Sequence, residues 1–322
     1  MTYQRNPDFI FTVMFDDELI KDYPPYDFEP IGNESLVSIV NDYENGKWRY
    51  RKFLNFVINN LKETALNEEE RKAFIGKEGD VLSCAADRLR IEDNRDANSR
   101  GSEIAEILLY GLMRKYYGAI PAVPKIWHKQ NRRLTVKGAD SVHVVVHDDN
   151  RFELWLGEAK FYKDVRNAMA QTVKSVKETI SCDAIRKENS FVTGLDDVKI
   201  YLHDKYPDRA DELWQSILKD LGKNTSVDKI KTVLHVPILL LYECQITKGE
   251  MCFSEAYKKS IKDSHLENAK SYFKKQVEAL KDFDPLYGAI HFHLILFPVP
   301  EKDRVVDGFY SRIEAYRGEE NG

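Results

Sequence analysis

The stretch Val136-Lys137-Gly138-Ala139-Asp140-Ser141-Val142-His143-Val144-Val145-Val146-His147-Asp148-Asp149-Asn150-Arg151-Phe152-Glu153-Leu154-Trp155-Leu156-Gly157-Glu158-Ala159-Lys160 decides the fold. Ser141 to His147 is rich in valine and Phe152 to Phe161 is apolar and aromatic, which predicts two strands. Between them lies the polar tip Asp148-Asp149-Asn150, and asparagine tolerates the left-handed backbone that a three-residue hairpin loop requires. A hairpin centred on Asp149 sets Val146 against Phe152, Val144 against Leu154, Val142 against Leu156, and Asp140 against Glu158. The second strand is apolar on both faces, with Leu154 and Leu156 on one side and Trp155, Ala159 and Phe161 on the other, so it is expected in the interior of its sheet.

This register makes two carboxylates direct cross-strand neighbours. Opposed residues stand roughly 4.5 to 5.5 Å apart at Cβ, and like charges there are destabilising unless something positive lies between them. A hard divalent cation meets that need: Mg²⁺ takes oxygen ligands and is held by one or two carboxylates together with phosphate and water. Lys160, two residues beyond Glu158, shares its face. Asp140, Glu158 and Lys160 are therefore the candidate centre of a metal-dependent phosphodiesterase. Spacing alone would be weak evidence, since Glu70-Arg71-Lys72 has it too, in a polar helical run that reads as a solvated face.

The totals bound the function. A chain of 322 residues with 43% hydrophobic and 31% charged content has ample length for one large or two ordinary cores. The start, Met1 to Asp8, has no apolar targeting region and no run is long enough to span a membrane, so a cytoplasmic bacterial location is expected. Cys84, Cys182, Cys244 and Cys252 show no zinc spacing and suit reduced thiols. The net charge of −5 argues against a protein that coats nucleic acid. From Pro121 to Ser175, however, ten Lys or Arg face six Asp or Glu, a local +4 that coincides with the candidate centre.

Along the chain, a first strand is expected over Asp8 to Phe15, helices over about Glu34 to Leu66 and Asn67 to Arg90, and residues 1–98 read as a helical cap or partner-docking region. Residues 99–322 read as the main domain. Its helix from Ser102 to Tyr117, capped by Ser99 or Ser102, carries Glu103 in the first turn and Glu106 inside the apolar run; Glu106 is the better candidate to complete the metal site, with Glu103 the alternative. Val123 to His128 is expected as a strand. Lys125, Lys129, Arg132, Arg133 and Lys137, with His128, then crowd near the site as phosphate-contacting donors. Asp164 caps a helix whose outer face offers Arg166 and Lys174, and Lys163 precedes it; these three join the candidate nucleic-acid contacts. Residues 190–230 read as a helical insertion, Thr232 to Tyr242 as a strand whose Pro237 suggests a bulge or an edge, and the remainder as a helix-strand-helix extension. His291 and His293 share a strand face and are read as ordinary strand residues.

The order helix with glutamate, strand, strand with Asp140, strand with Glu158-Ala159-Lys160, helix, strand resembles the αβββαβ core of the PD-(D/E)XK nuclease superfamily, with Ala139 where proline is usual. That resemblance implies an α/β fold with a mixed, restriction-endonuclease-like sheet flanked by helices, to which N-terminal and inserted helical segments are added. Lys137-Gly138-Ala139-Asp140-Ser141-Val142-His143, Gly157-Glu158-Ala159-Lys160-Phe161-Tyr162 and His235-Val236-Pro237-Ile238-Leu239-Leu240-Leu241-Tyr242 together resemble the HamA family, nuclease subunits of the Hachiman anti-phage system. The resemblance implies a Mg²⁺-dependent deoxyribonuclease, with Mn²⁺ able to substitute, in which Asp140, Glu158, the carbonyl of Ala159 and Glu106 serve the metal and Lys160 the attacking water. It also implies DNA as substrate and a superfamily 2 helicase, HamB, as restraining partner. The competing readings are a non-catalytic helicase- or DNA-binding adaptor on a nuclease fold, and a structure-specific resolvase for branched DNA.

Overall fold

The computed structural model describes residues 9–89, 100–122, 138–194, 197–222 and 224–318. Its strands are β1 (Thr12–Leu19), β2 (Glu34–Val40), β3 (Tyr43–Glu44), β4 (Lys47–Trp48), β5 (Ile120–Pro121), β6 (Ser141–Val146), β7 (Phe152–Tyr162), β8 (Leu234–Glu243) and β9 (His291–Val299). The α-helices are α1 (Tyr50–Ala65), α2 (Glu68–Ala73), α3 (Glu78–Asp87), α4 (Ser102–Lys115), α5 (Val165–Thr179), α6 (Cys182–Gly194), α7 (Asp197–Lys205), α8 (Ala210–Leu221), α9 (Val227–Lys231), α10 (Gln245–Gly249), α11 (Glu255–Leu280) and α12 (Lys302–Arg317).

The hairpin forms in the expected register. Val146 faces Phe152, Val144 faces Leu154 and Val142 faces Leu156. Asn150 takes a φ of 64°, and the turn closes where the His147 N–H donates to the Arg151 carbonyl at 2.9 Å. Seven strands make one mixed sheet in the order β1-β2-β9-β8-β7-β6-β5. β2, β9, β8 and β7 run parallel to their neighbours in that series, whereas β1, β6 and β5 join by antiparallel pairs. β7 is thus interior, with Leu154 and Leu156 in one core and Trp155, Ala159 and Phe161 in the other. The first core lies under α5 to α9 and α11; the second lies under α1, α3, α4 and α12.

Several expectations change. Glu34 to Val40 is a strand, not the start of a helix: Leu36, Val37, Ile39 and Val40 are buried on both faces, and such a short apolar run has no helical period to distinguish it. The stretch expected as a cap therefore supplies β1 and β2 to the same sheet as the hairpin, and the C-terminal part supplies β9 to its middle. Pro237 is neither at an edge nor at a register shift. β8 lies between β9 and β7, and Leu154–Leu234 and Glu158–Ile238 keep the same offset on either side of the proline. The ladder merely omits Leu156 and Gly157, opposite the proline that has no N–H to give. Ser102 is the first residue of α4 and Gly101, at φ 89°, stands at its N-cap position with no side-chain cap; Ser99 lies outside the described residues. Glu70-Arg71-Lys72 is only partly solvated, because Glu70 closes a capping box with Asn67 and the Arg71 guanidinium donates to the Tyr201 hydroxyl at 2.5 Å. The strand expected at Val123 to His128 lies outside the described residues. Among the described residues no helix is long and apolar enough to cross a membrane.

Candidate active site

The paired register ends at Ser141–Gly157, and Asp140 follows it at the base of the hairpin. The Asp140 N–H donates to the Gly157 carbonyl at 2.7 Å, and Asp140 Oδ2 accepts from the Ala159 N–H at 3.0 Å. These two bonds hold Asp140 against Gly157 to Ala159, beside Glu158 but outside the regular pairing that would have set the two directly opposite. Lys160 Nζ stands 3.2 Å from Glu158 Oε2 and 3.6 Å from Asp140 Oδ2. Peptide groups alternate across a strand, so the Ala159 carbonyl points to the same edge as its N–H, towards Asp140. Gly157 permits the approach: a Cβ there would lie 2.3 Å from Ser141 Oγ, 2.9 Å from Leu109 Cδ2 and 3.1 Å from Pro237 Cγ.

The electrostatics follow from burial. Glu158 is only 4% exposed. Burial first, and the Asp140 charge second, push its pKa up to about 7, against the pull of Lys160 and Thr179. Burial alone would lower Lys160, but Asp140, Glu158 and, more weakly, Glu106 raise it, so the ammonium stays charged.

Two side chains at the site were not picked out from the sequence. Thr179, at the end of α5, donates to Glu158 Oε1 at 2.6 Å, leaving Oε2 to Lys160. It lies three residues after Val176 on the buried stripe of its helix, so periodicity placed it inward but could not say against what. Glu188 on α6 is fully buried, and a Cβ on Gly138 would lie 2.0 Å from its Oε1, so the carboxylate rests against the backbone leading into Asp140. Its sequence context, Lys187-Glu188-Asn189, is that of any polar helix face and carries no signal.

Of the two candidate glutamates on α4, Glu106 is half-buried and contributes to the field at Lys160, whereas Glu103 accepts from the Tyr310 hydroxyl at 3.3 Å. Lys163 is exposed and paired with Asp303 at 2.6 Å, and Arg166 and Lys174 are exposed on the outer face of α5. Lys125, Lys129, Arg132, Arg133 and Lys137 lie outside the described residues.

Among the described residues no three or more His, Cys, Asp or Glu side chains group in a way that could hold a metal ion. That speaks against a site built like zinc's, from three or four side chains, but Mg²⁺ needs only one or two carboxylates and fills its shell with carbonyls, phosphate and water. Asp140, Glu158 and the Ala159 carbonyl are the oxygen donors that could serve as such a set. The raised pKa of the buried Glu158 beside Asp140 is the physical sign that the pair favours added positive charge.

The HamA family model matches residues 14–313. No curated protein and no solved structure matches the chain.

Proposed function

The chain belongs to the HamA family, and from that membership, which carries a role in Hachiman anti-phage defence, we propose that it is the system's Mg²⁺-dependent DNA endonuclease, of PD-(D/E)XK type, restrained and activated by a partner helicase. One observation carries the reading: two neighbouring carboxylates, one of them buried, share a single lysine at 3.2 and 3.6 Å. An adaptor that only bound DNA or a helicase would have no use for that costly arrangement.

In this reading Asp140, Glu158 and the Ala159 carbonyl hold Mg²⁺, with Glu106 contributing from α4. Bound there, the ion supplies a water of lowered pKa and neutralises charge developing on the phosphate. Thr179 holds Glu158 by one oxygen so that the other keeps its aim. Lys160 serves as a compact charge that orients the attacking water and stabilises the phosphate oxyanion. Its ammonium, kept protonated by the two carboxylates, is poised at that spot before substrate arrives. Exposed Arg166 and Lys174 on α5 supply phosphate contacts.

The test is cleavage of double- and single-stranded DNA with Mg²⁺ by the wild type and Lys160→Ala, each with and without the helicase and ATP. We expect cutting that requires Mg²⁺ and is abolished in the variant while its circular dichroism is unchanged. Wild-type cutting by Lys160→Ala would overturn the assignment. Absence of cutting by the wild type in every condition, with helicase binding retained, would favour the adaptor.

A further inference from the structure

At the end of the sheet away from Lys160, and on the opposite face, a cavity of about 630 Å³ opens beside the first residues of β8 and β9. Three rings line up across neighbouring strands. Trp155 is the register partner of His235, and His235 that of His291. Their ring centroids are 4.9 and 4.7 Å apart, with planes within 20° and 17° of parallel. His293, two residues along β9, stacks on Trp155 at 4.4 Å and lies edge to edge with His235, its centroid 5.1 Å away in nearly the same plane. The sequence showed His291 and His293 as a bare pair; β8 brings His235 between His291 and Trp155.

Hydrogen bonds set the planes of the inner rings. His235 Nδ1 is 2.8 Å from His293 Nε2, and His293 Nδ1 is 2.8 Å from Asp17 Oδ1. The indole N–H of Trp155 donates to Glu153 Oε2 at 2.8 Å. Both carboxylates are thus engaged in orienting the stack.

The ladder stops at β2. There the Phe292 N–H donates to the Asn33 carbonyl at 2.9 Å, and Glu34 pairs with Phe292, so Asn33 is the next position beside His291. It supplies no ring, and its amide is turned away to the carbonyls of Tyr287 and Ile290, at 2.8 and 2.7 Å. Gly32 adds nothing, since even a Cβ there would come no nearer than 3.4 Å to Lys21 Cδ. Gly32, Asn33 and His291 all line the cavity there. His291, whose side is exposed, forms one wall, and Asp17, Asn33 and Ser35 are among the polar residues around it. The volume is within the usual range for small-molecule sites, roughly 300 to 1,000 Å³.

We propose that this cavity binds a nucleobase, stacked on His291 as the fourth plane of the Trp155–His235–His291 ladder. Imidazole and indole faces are common platforms for bases, and stacking tolerates different bases because each has a π-face. The same chemistry would be presented by a free nucleotide or by an unpaired base of a DNA strand.

The test is calorimetric titration of the full chain, in EDTA so that no cleavage occurs, with the four deoxynucleoside monophosphates and with a ten-nucleotide single strand. Saturable binding is expected for at least one probe. His291→Ala should weaken it about tenfold or more, on the scale of one lost base stack. His291→Phe, which keeps an aromatic face, should stay within about threefold of the wild type. Binding of the monophosphates identifies a free nucleotide as the ligand, and binding of the oligonucleotide alone identifies an unpaired strand. No saturable binding of any probe, or equal binding by wild type and His291→Ala, would overturn the proposal.

Discussion

At Glu158 the two situations a carboxylate avoids, burial and a second carboxylate alongside, coincide. Its folded pKa of about 7 lies above the ordinary 4.5, so the folded protein binds a proton that the unfolded chain has released. The favourable contribution is therefore present below about pH 4.5 and lost as pH rises through 7; the ionised form then costs on the order of 3 kcal/mol. Glu158→Gln, neutral at every pH and still able to accept from Thr179, should stabilise the metal-free protein at pH 8 by up to that amount and do little at pH 4. Urea unfolding in EDTA at the two values measures this, and equal effects at both would show that Glu158 titrates normally. Thr179→Val addresses the other oxygen. It removes the donor at 2.6 Å from Oε1, and loss of such a supporting bond weakens metal affinity about 10- to 100-fold; calorimetric Mg²⁺ titration should show at least the lower figure. Asp140, Glu158 and Lys160 were legible because a hairpin's register is local arithmetic. Thr179 and Glu188 were not, because each reaches the site by tertiary packing from a helix that its own sequence fully explains without it.

Among the elements, the hairpin and the amphipathic helix α5 carried their own evidence: a period of two around a turn, and an apolar stripe opened by Asp164, whose carboxylate accepts from the Arg166 N–H at 2.7 Å. β2 did not, since a strand buried on both faces has no alternation; β8 was legible as a strand over Thr232 to Tyr242, but its interior place was not, because proline usually marks an edge. The contact between α1 and α4 was equally hidden. It depends on Gly111, where a Cβ would fall 2.7 Å from Phe56 Cε1 and 2.8 Å from Asn60 Nδ2. Propensity alone would make Gly111→Ala favourable by up to about 1 kcal/mol in a helix interior. The clash reverses the sign, because over-packing a close interface typically costs about 1 to 3 kcal/mol. We expect a net loss of about 1 kcal/mol or more in urea unfolding; a more stable variant would mean that α1 and α4 can move apart freely. Because α4 also carries Glu106, any such shift should be accompanied by weaker Mg²⁺ binding.

The described residues build a seven-stranded sheet between two cores, with β3 and β4 as a separate pair, and each core holds a histidine that folding keeps neutral. His143, on β6, is fully buried against the Tyr110 ring, neither ring nitrogen has a hydrogen-bond partner among the described residues, and burial, then the Arg114 charge, push its pKa down to about 3. His265, on α11 across the sheet, is likewise lowered to about 3 by burial, with its Nδ1 2.5 Å from the Ser38 hydroxyl. Both folded values lie below the ordinary 6.5, so the unfolded chain takes up protons that the folded one refuses, and stability falls as pH drops from about 6.5 towards 3. Two such groups give a slope of roughly 2.7 kcal/mol per pH unit. His143→Leu, which removes one titration and two unpartnered nitrogens, should reduce that slope by about 1.4 kcal/mol per unit between pH 6 and 4. Urea midpoints across that range decide the matter: an unchanged slope would mean that His143 takes its proton inside the fold. Since the two rings sit on opposite faces of the same sheet, His143 on β6 and His265 against Ser38 of β2 and Tyr242 of β8, protonating either withdraws support from the shared sheet. Acid unfolding should accordingly be a single transition, with tryptophan fluorescence and far-ultraviolet circular dichroism coinciding, rather than the loss of one layer before the other.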